Sequence, residues 1–276
     1  MARENYVLLH GQLYDKARIS INGEGEAKRA TFALKVIRRP FLTGEGQVHA
    51  GKLYIDYPVI LTSDPELIKT ASTLQKGDMV DVRGVITTRE ITKKAICPNG
   101  HPVSWDGNFV FITPIYICRR EQCLSEEVGM TLLRERSEIS NVVMIIGTLC
   151  RDPVLHEYED KKGYMTQYQI ASNRRYHIRD GHETERTDYP WIKTVNRQAV
   201  EDAAHLRTNS TVFINGAVQT REVERSIACG ECGEVFDLKE SVAEVFPYSV
   251  EYLANCIFEH TAKDDGEHAA DEPEAT

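Results

Sequence analysis

The sequence predicts a mainly β chain: two tandem five-stranded Greek-key barrels, each with one short helix, and then an acidic disordered tail. The first observation behind this is an internal repeat. Asn5-Tyr-Val-Leu-Leu-His-Gly11 returns 136 positions later as Asn141-Val-Val-Met-Ile-Ile-Gly147, and Arg38-Arg39 returns as Arg174-Arg175. Farther along the offset is 132. Asp56-Tyr57-Pro58 matches Asp188-Tyr189-Pro190, Gly84-x-x-x-Thr88-Arg89-Glu90 matches Gly216-x-x-x-Thr220-Arg221-Glu222, and Cys97 falls on Cys229. A unit this long is a whole domain, not a solenoid repeat. The second observation is the length of 276 residues, which suits two domains of roughly 100–150 residues each. The third is the order of elements, which is the same in both copies.

In copy one, Tyr6–Leu13 is apolar and β-prone, and Ala30–Ile37 alternates as a half-buried strand does. Tyr54–Leu61 is a third strand, rich in Tyr, Ile and Val. Asp64-Pro65-Glu66 is a helix start, leading into Leu67-Ile68, Ala71 and Leu74 at helical spacing. Lys76-Gly77-Asp78 signals a turn, Met79–Thr87 resumes as a strand, and Phe109–Ile117 closes the set. Copy two repeats the order, with Ala199, Ala203 and Leu206 on its helix and Thr211–Gln219 as the next strand. Between the copies, Ser125–Ser140 reads either as a helical linker or as a polar tether. Five strands with a helix between the third and fourth is the order of the OB-fold, which commonly binds oligonucleotides. The expected division is 1–124 and 140–258 for the barrels, 125–139 for the linker and 259–276 for the tail.

At 41% hydrophobic and 27% charged residues, the chain has ordinary globular composition. No apolar run approaches the roughly 18–20 residues of a membrane span. The start leads into a strand without a secretory pattern, so a cytoplasmic location is expected. The net charge of −9 is uneven: residues 1–137 carry +3, residues 138–258 carry −6 and residues 259–276 carry −6. Local fields steer ligands, so this total leaves room for a basic groove. Seven cysteines do not make a disulfide framework, and in a reducing compartment paired cysteines point to metal.

Copy two resembles bacterial single-stranded DNA-binding proteins. The likeness runs through Asn141-x-Val-x-Ile-Ile-Gly147-x-Leu149-x-Arg151-Asp152-Pro153-Val154 and Ala171-Ser-Asn173-Arg174-Arg175-Tyr176. It continues through Thr187-Asp188-Tyr189-Pro190, Ala199-x-x-x-Ala203-Ala204-x-Leu206 and Val212-Phe-Ile-Asn-Gly216-Ala-Val-Gln219-Thr220-Arg221. Copy one resembles the family through its repeat relation to copy two. The chain departs from the family at Val195, Val223 and Ile91, where aromatics are common, and its tail ends Glu274-Ala-Thr276 without a hydrophobic docking motif.

Holding single strands takes cations for phosphates and π-faces for unstacked bases. The resemblance implies Tyr176 and Tyr189 for stacking, with Arg174, Arg175, Arg197 and Arg221 for phosphates. Repeat equivalence adds Tyr57, Arg38, Arg39 and Arg89, and Phe41 is a further stacking candidate. Each of these also has a plain reading, as strand packing for the tyrosines and as solvated loops for the arginines.

Cys97-x-x-x-His101 and Cys229-x-x-Cys232 follow the fourth strand of their copies. Each supplies half of a tetrahedral zinc site. Cys118 lies at the far end of a strand rising about 3.3 Å per residue, so it is a poor completer. A shared Cys₃His site, within one chain or across a dimer, fits the spacing better; free thiols are the alternative. The His-x-Glu and Pro-Cys-x-x-Cys of nucleobase deaminases, metalloprotease pairs and phosphate loops are missing, so any zinc is expected to be structural and the protein not an enzyme.

The expected function is sequence-independent coating of single-stranded DNA in replication, recombination or repair. The expected assembly is a dimer of tandem-barrel chains with replication proteins as partners and no membrane. The alternative is an interaction module of a replication or conjugation assembly in which one or both DNA sites are lost.

Overall fold

The computed structural model describes residues 3–39, 53–158, 163–176, 178 and 187–257. Phe41 and the tail at 259–276 lie outside the described residues. The first half contains β1 (Asn5–Leu13), β2 (Arg18–Ile21), β3 (Ala27–Arg38), β4 (Tyr54–Asp56), β5 (Val59–Thr62), α1 (Pro65–Ser72), β6 (Met79–Ile96) and β7 (Pro102–Glu121). The barrel closes from β1 to β6 to β7, then parallel to β5, on to β3 and back to β1. The second half repeats it with β8 (Asn141–Leu149), β9 (Val154–Glu157), β10 (Tyr164–Asn173), β11 (Thr187–Asp188), β12 (Trp191–Val195), α4 (Asn196–His205), β13 (Thr211–Ala228) and β14 (Val235–Ala254). Here the closure runs β8, β13, β14, β12, β10 and back to β8.

Local chemistry explains these elements. Asp64 caps α1 by accepting the N–H groups of Glu66 and Leu67, and Pro65 stands in the first turn where no N–H is needed. The expected third strand is split at Tyr57-Pro58, because proline brings no N–H to the ladder. The Pro58 carbonyl instead accepts from Leu34, as that of Pro190 accepts from Ile170.

Ser125–Ser140 is helical: α2 (Glu126–Glu135) is capped by Ser125, and the short α3 (Ser137–Ser140) follows. α2 lies on the first barrel, with Leu133 buried beside Ile37 and Met79. A Cβ on its Gly129 would stand 2.4 Å from the Gln12 amide, so a larger residue here would have to displace that side chain.

The fourth strands run well past their expected ends at Thr87 and Gln219, reaching Ile96 and Ala228. With the fifth strands they form two hairpin arms that leave the barrels. Cross-strand pairing sustains them without a core, so hydrophobic pattern does not reveal their length. Each arm departs at a register shift, at Gly84 and at Gly216. A Cβ there would stand 2.4 Å from the carbonyl oxygen of Thr113 or Phe246, which explains why glycine stands in both copies.

The barrels are joined edge to edge. β1 and β8 pair antiparallel, with Val7 opposite Val143, Asn5 opposite Ile145 and Leu9 opposite Asn141. Val7 and Val143 differ by the repeat offset, so an approximate two-fold axis passes between them. One core runs through both barrels, including Val7, Leu9, Val143 and Ile145. No helix among the described residues is long and apolar enough to cross a membrane.

Candidate nucleic-acid interface and metal centre

The repeated Asp-Tyr-Pro and Thr-Arg-Glu motifs meet across the two barrels. Asp56 accepts the Thr220 N–H at 2.7 Å, and the Tyr57 N–H donates to the Thr220 hydroxyl at 2.9 Å. The mirror contacts link Asp188 to the Thr88 N–H at 2.9 Å and the Tyr189 N–H to the Thr88 hydroxyl at 2.8 Å. Arg38 and Arg174 complete these clamps, each 2.5 Å from the buried carboxylate of Asp56 or Asp188. Both were expected at phosphates, yet they are only 9% and 7% exposed. Their guanidinium groups are committed to the fold, because a buried carboxylate without its cation is costly.

The other expected residues are dispersed. Tyr57 and Tyr189 are 38% and 47% exposed, and Tyr57 meets Tyr14 edge-on at 5.1 Å. Arg39 lies 4.1 Å over the Tyr248 ring and pairs with Glu138. Arg89 lies over Phe111, whereas Arg221 pairs with Glu244 at 2.8 Å. Arg197 is exposed on α4, paired with Glu201 one turn on. Arg175 is exposed, 3.6 Å from Glu4. The Tyr176 ring is 6.0 Å from that of Tyr6, in a depression of about 640 Å³ shared with Met144, Ile146 and Phe213.

Tyr189, expected from sequence, joins residues not singled out there, Trp191, Lys193, Arg151 and Gln169, in one continuous surface. Along Tyr189–Thr194, Pro190, Ile192 and Thr194 are buried, while Tyr189 and Trp191 face outward and Lys193, its side chain 16% exposed, lies 3.9 Å from Glu244. Arg151 lies 5.3 Å over the Trp191 ring and is 3.5 Å from the Gln169 amide oxygen. Gln169, paired with Trp191 across the ladder, also donates to the Tyr189 carbonyl. This row lies on the second and third barrel strands, the OB face that usually meets oligonucleotides. The alternation Tyr-x-Trp-x-Lys was readable in the sequence and is the signal that would have found it.

Cys97, His101, Cys229 and Cys232 come together where the two arm tips meet, with ligand atoms all within 4.8 Å of one another. The Cys97 sulfur is 3.9 Å from that of Cys232 and 3.7 Å from His101 Nδ1, and the Cys229 sulfur is 3.9 Å from the same nitrogen. Sulfurs held about 2.3 Å from a tetrahedral zinc lie about 3.7–3.8 Å apart, so the cluster fits such an ion. Local groups brace it as metal sites require: the His101 N–H points at the Cys97 sulfur, and Asn99 donates to that of Cys232. The Asn99 amide, the Glu234 backbone N–H and His101 hold the Cys232 thiol down to about 6. Glu231, from the opposite arm, lies 3.9 Å from His101 Nε2. Gly100 and Gly233, at φ 87° and 73°, shape the two tips. The cluster can hold a metal. Cys118, Cys123, Cys150 and Cys256 lie outside it.

Residues 140–231 match the model of the single-strand binding protein family. Among solved structures, the wild-type single-stranded DNA binding protein from Thermus aquaticus is 17% identical, with a TM-score of 0.57, covering 92% of this chain and 95% of that one. A deletion mutant of it, also 17% identical, has a TM-score of 0.58 and covers 94% of this chain and 100% of that one. At this identity the likeness is one of fold, and it runs through both halves. The family model thus covers the second barrel, and the likeness of fold extends over both barrels.

Proposed function

We propose that this protein binds single-stranded DNA without sequence preference and without catalysis, protecting exposed strands in replication, recombination or repair. The observation that carries this reading is the outward pair of Tyr189 and Trp191, with Arg151 against the Trp191 ring, on a barrel that matches the single-strand binding family. Flat rings accept any base, at roughly 1–3 kcal/mol per stacked base. Arg151 and the exposed Arg175 supply cations, and the release of counterions from phosphates makes such binding weaken steeply with salt.

Two further parts belong to this reading. A structural zinc ion closes the arm tips through Cys97, His101, Cys229 and Cys232, with four protein ligands and therefore no open position for chemistry. A second copy of the chain covers the outer face of the β1–β8 sheet. Tyr6, Leu8, Val142, Met144 and Ile146 alternate with core residues there and are only half-buried, and apolar residues on both faces of a sheet are the pattern of strands covered on both sides.

The deciding experiment is a fluorescence titration with poly(dT), duplex DNA and RNA at two salt concentrations. Preference for poly(dT) with a steep loss of affinity at high salt is expected. No binding of poly(dT) at low salt would overturn the proposal.

A further inference from the structure

We infer that the two barrels are unequal ligand sites: the β10–β12 face of the second barrel supplies most of the grip on single-stranded DNA, centred on Trp191 braced by Arg151. The matching face of the first barrel supplies little. This rests on the single-strand reading above.

The comparison of faces stands on hydrogen bonds rather than on alignment alone. Gln169 is opposite Trp191 in one barrel, and Ala33 is opposite Val59 in the other. The Cys150 N–H donates to the Gln169 carbonyl just as the Tyr14 N–H donates to that of Ala33. Arg151 therefore corresponds to Asp15, Trp191 to Val59, Lys193 to Leu61 and Gln169 to Ala33. At these positions the second barrel offers the Trp191 ring, the Gln169 amide and the Arg151 cation, with Lys193 held 3.9 Å from Glu244. The first barrel offers an aliphatic side chain or, at Asp15, an acid that repels phosphate. Asp152, the acid beside Arg151, is turned to the Thr208 N–H and hydroxyl at 2.7 Å each, so the Arg151 charge belongs to the face.

Tyr57 is retained in the first barrel, where it meets Tyr14 edge-on and both rings stay exposed, so the first face keeps aromatic surface but no cation beside it at the Arg151 position. One observation independent of the residue types agrees. The linker helix α2 covers one end of that face: Lys35 is only 7% exposed and pairs with Glu126 at 2.5 Å. Its counterpart in the second barrel, Ala171, is half-exposed.

The chain has two tryptophans, so Trp105→Phe leaves Trp191 as the only indole reporter in the full-length protein. Oligo(dT) should quench it, saturating at the stoichiometry given by anisotropy of labelled oligo(dT). In the wild-type background, Trp191→Ala and Arg151→Ala should each weaken oligo(dT) binding about tenfold, from the loss of one stacked base. Trp191→Phe should restore most of it, which a merely destabilised barrel would not do. Val59→Ala and Tyr57→Ala should stay within about twofold of wild type. Unquenched Trp191 at saturation, or a larger loss from the first-barrel variants than from Trp191→Ala, overturns the inference while leaving single-strand binding standing. Failure of the wild type itself to bind oligo(dT) overturns both.

Discussion

At Asp188 a single carboxylate is asked to neutralise buried Arg174 at 2.5 Å and to accept the Thr88 N–H from the other barrel. Replacing it by alanine strands a buried guanidinium and a backbone donor together, so Asp188→Ala is expected to cost about 3–5 kcal/mol. Urea denaturation monitored by circular dichroism would show this as a large fall in midpoint. Arg197→Ala, on an exposed helix face with an i,i+4 partner, should leave the urea midpoint unchanged. The sequence marked the Asp-Tyr-Pro motif as important through its repetition, but it did not say why. Its partner threonine lies 100 residues away, and nothing local in the chain distinguishes an arginine that meets phosphate from one that meets a buried acid. Trp191 was legible in principle, since its period of two with Tyr189 and Lys193 is plain once β12 is known to face outward.

The arms are the elements that sequence reading shortened. Beyond Thr87 and Gln219 their side chains are all half-buried or exposed as far as Ile96 and Ala228, so no apolar stripe announces a strand. The cysteine pairs at their tips were legible because ligand spacing is local, and the sharing of one site followed from the distance to Cys118. The arms touch along their length as well: Lys93 pairs with Glu240, which Arg225 also approaches at 3.5 Å. Replacing Cys229 and Cys232 by serine should therefore loosen the arms without opening the barrels, each of which closes through its own ladder. Zinc content should fall to background, and amide exchange should rise in residues 89–109 and 221–242 while β1 and β8 stay protected. Retained metal in this variant would refute the shared site. At the arm base, Gly216→Val places side-chain atoms where the Phe246 carbonyl oxygen stands 2.4 Å from the first added carbon. A loss of about 2 kcal/mol or more is expected, in line with overpacking and backbone strain, and thermal unfolding measures it.

For the whole molecule, two barrels with one continuous core should unfold as one unit, with fluorescence and circular dichroism transitions coinciding. Placing a charge on the outer face of the central sheet tests the assembly. Met144→Lys is expected to halve the mass seen by sedimentation if a second copy covers that face, with little change in the unfolding midpoint. The two-barrel architecture was legible because a repeat of more than a hundred residues constrains both halves at once. How the halves meet was not, since the β1–β8 ladder involves residues about 136 positions apart whose alternation is equally that of an ordinary barrel wall.

That ladder has a consequence of its own. Opposed about Val7 and Val143, each strand presents the other with very nearly its own likeness. Cut the polypeptide between α2 and α3, and neither half is left without a mate: a released second half can lay β8 against β8 of an identical fragment in unchanged register. Covalent fusion is what forces unlike partners together, and so lets one barrel specialise while the other holds it in place.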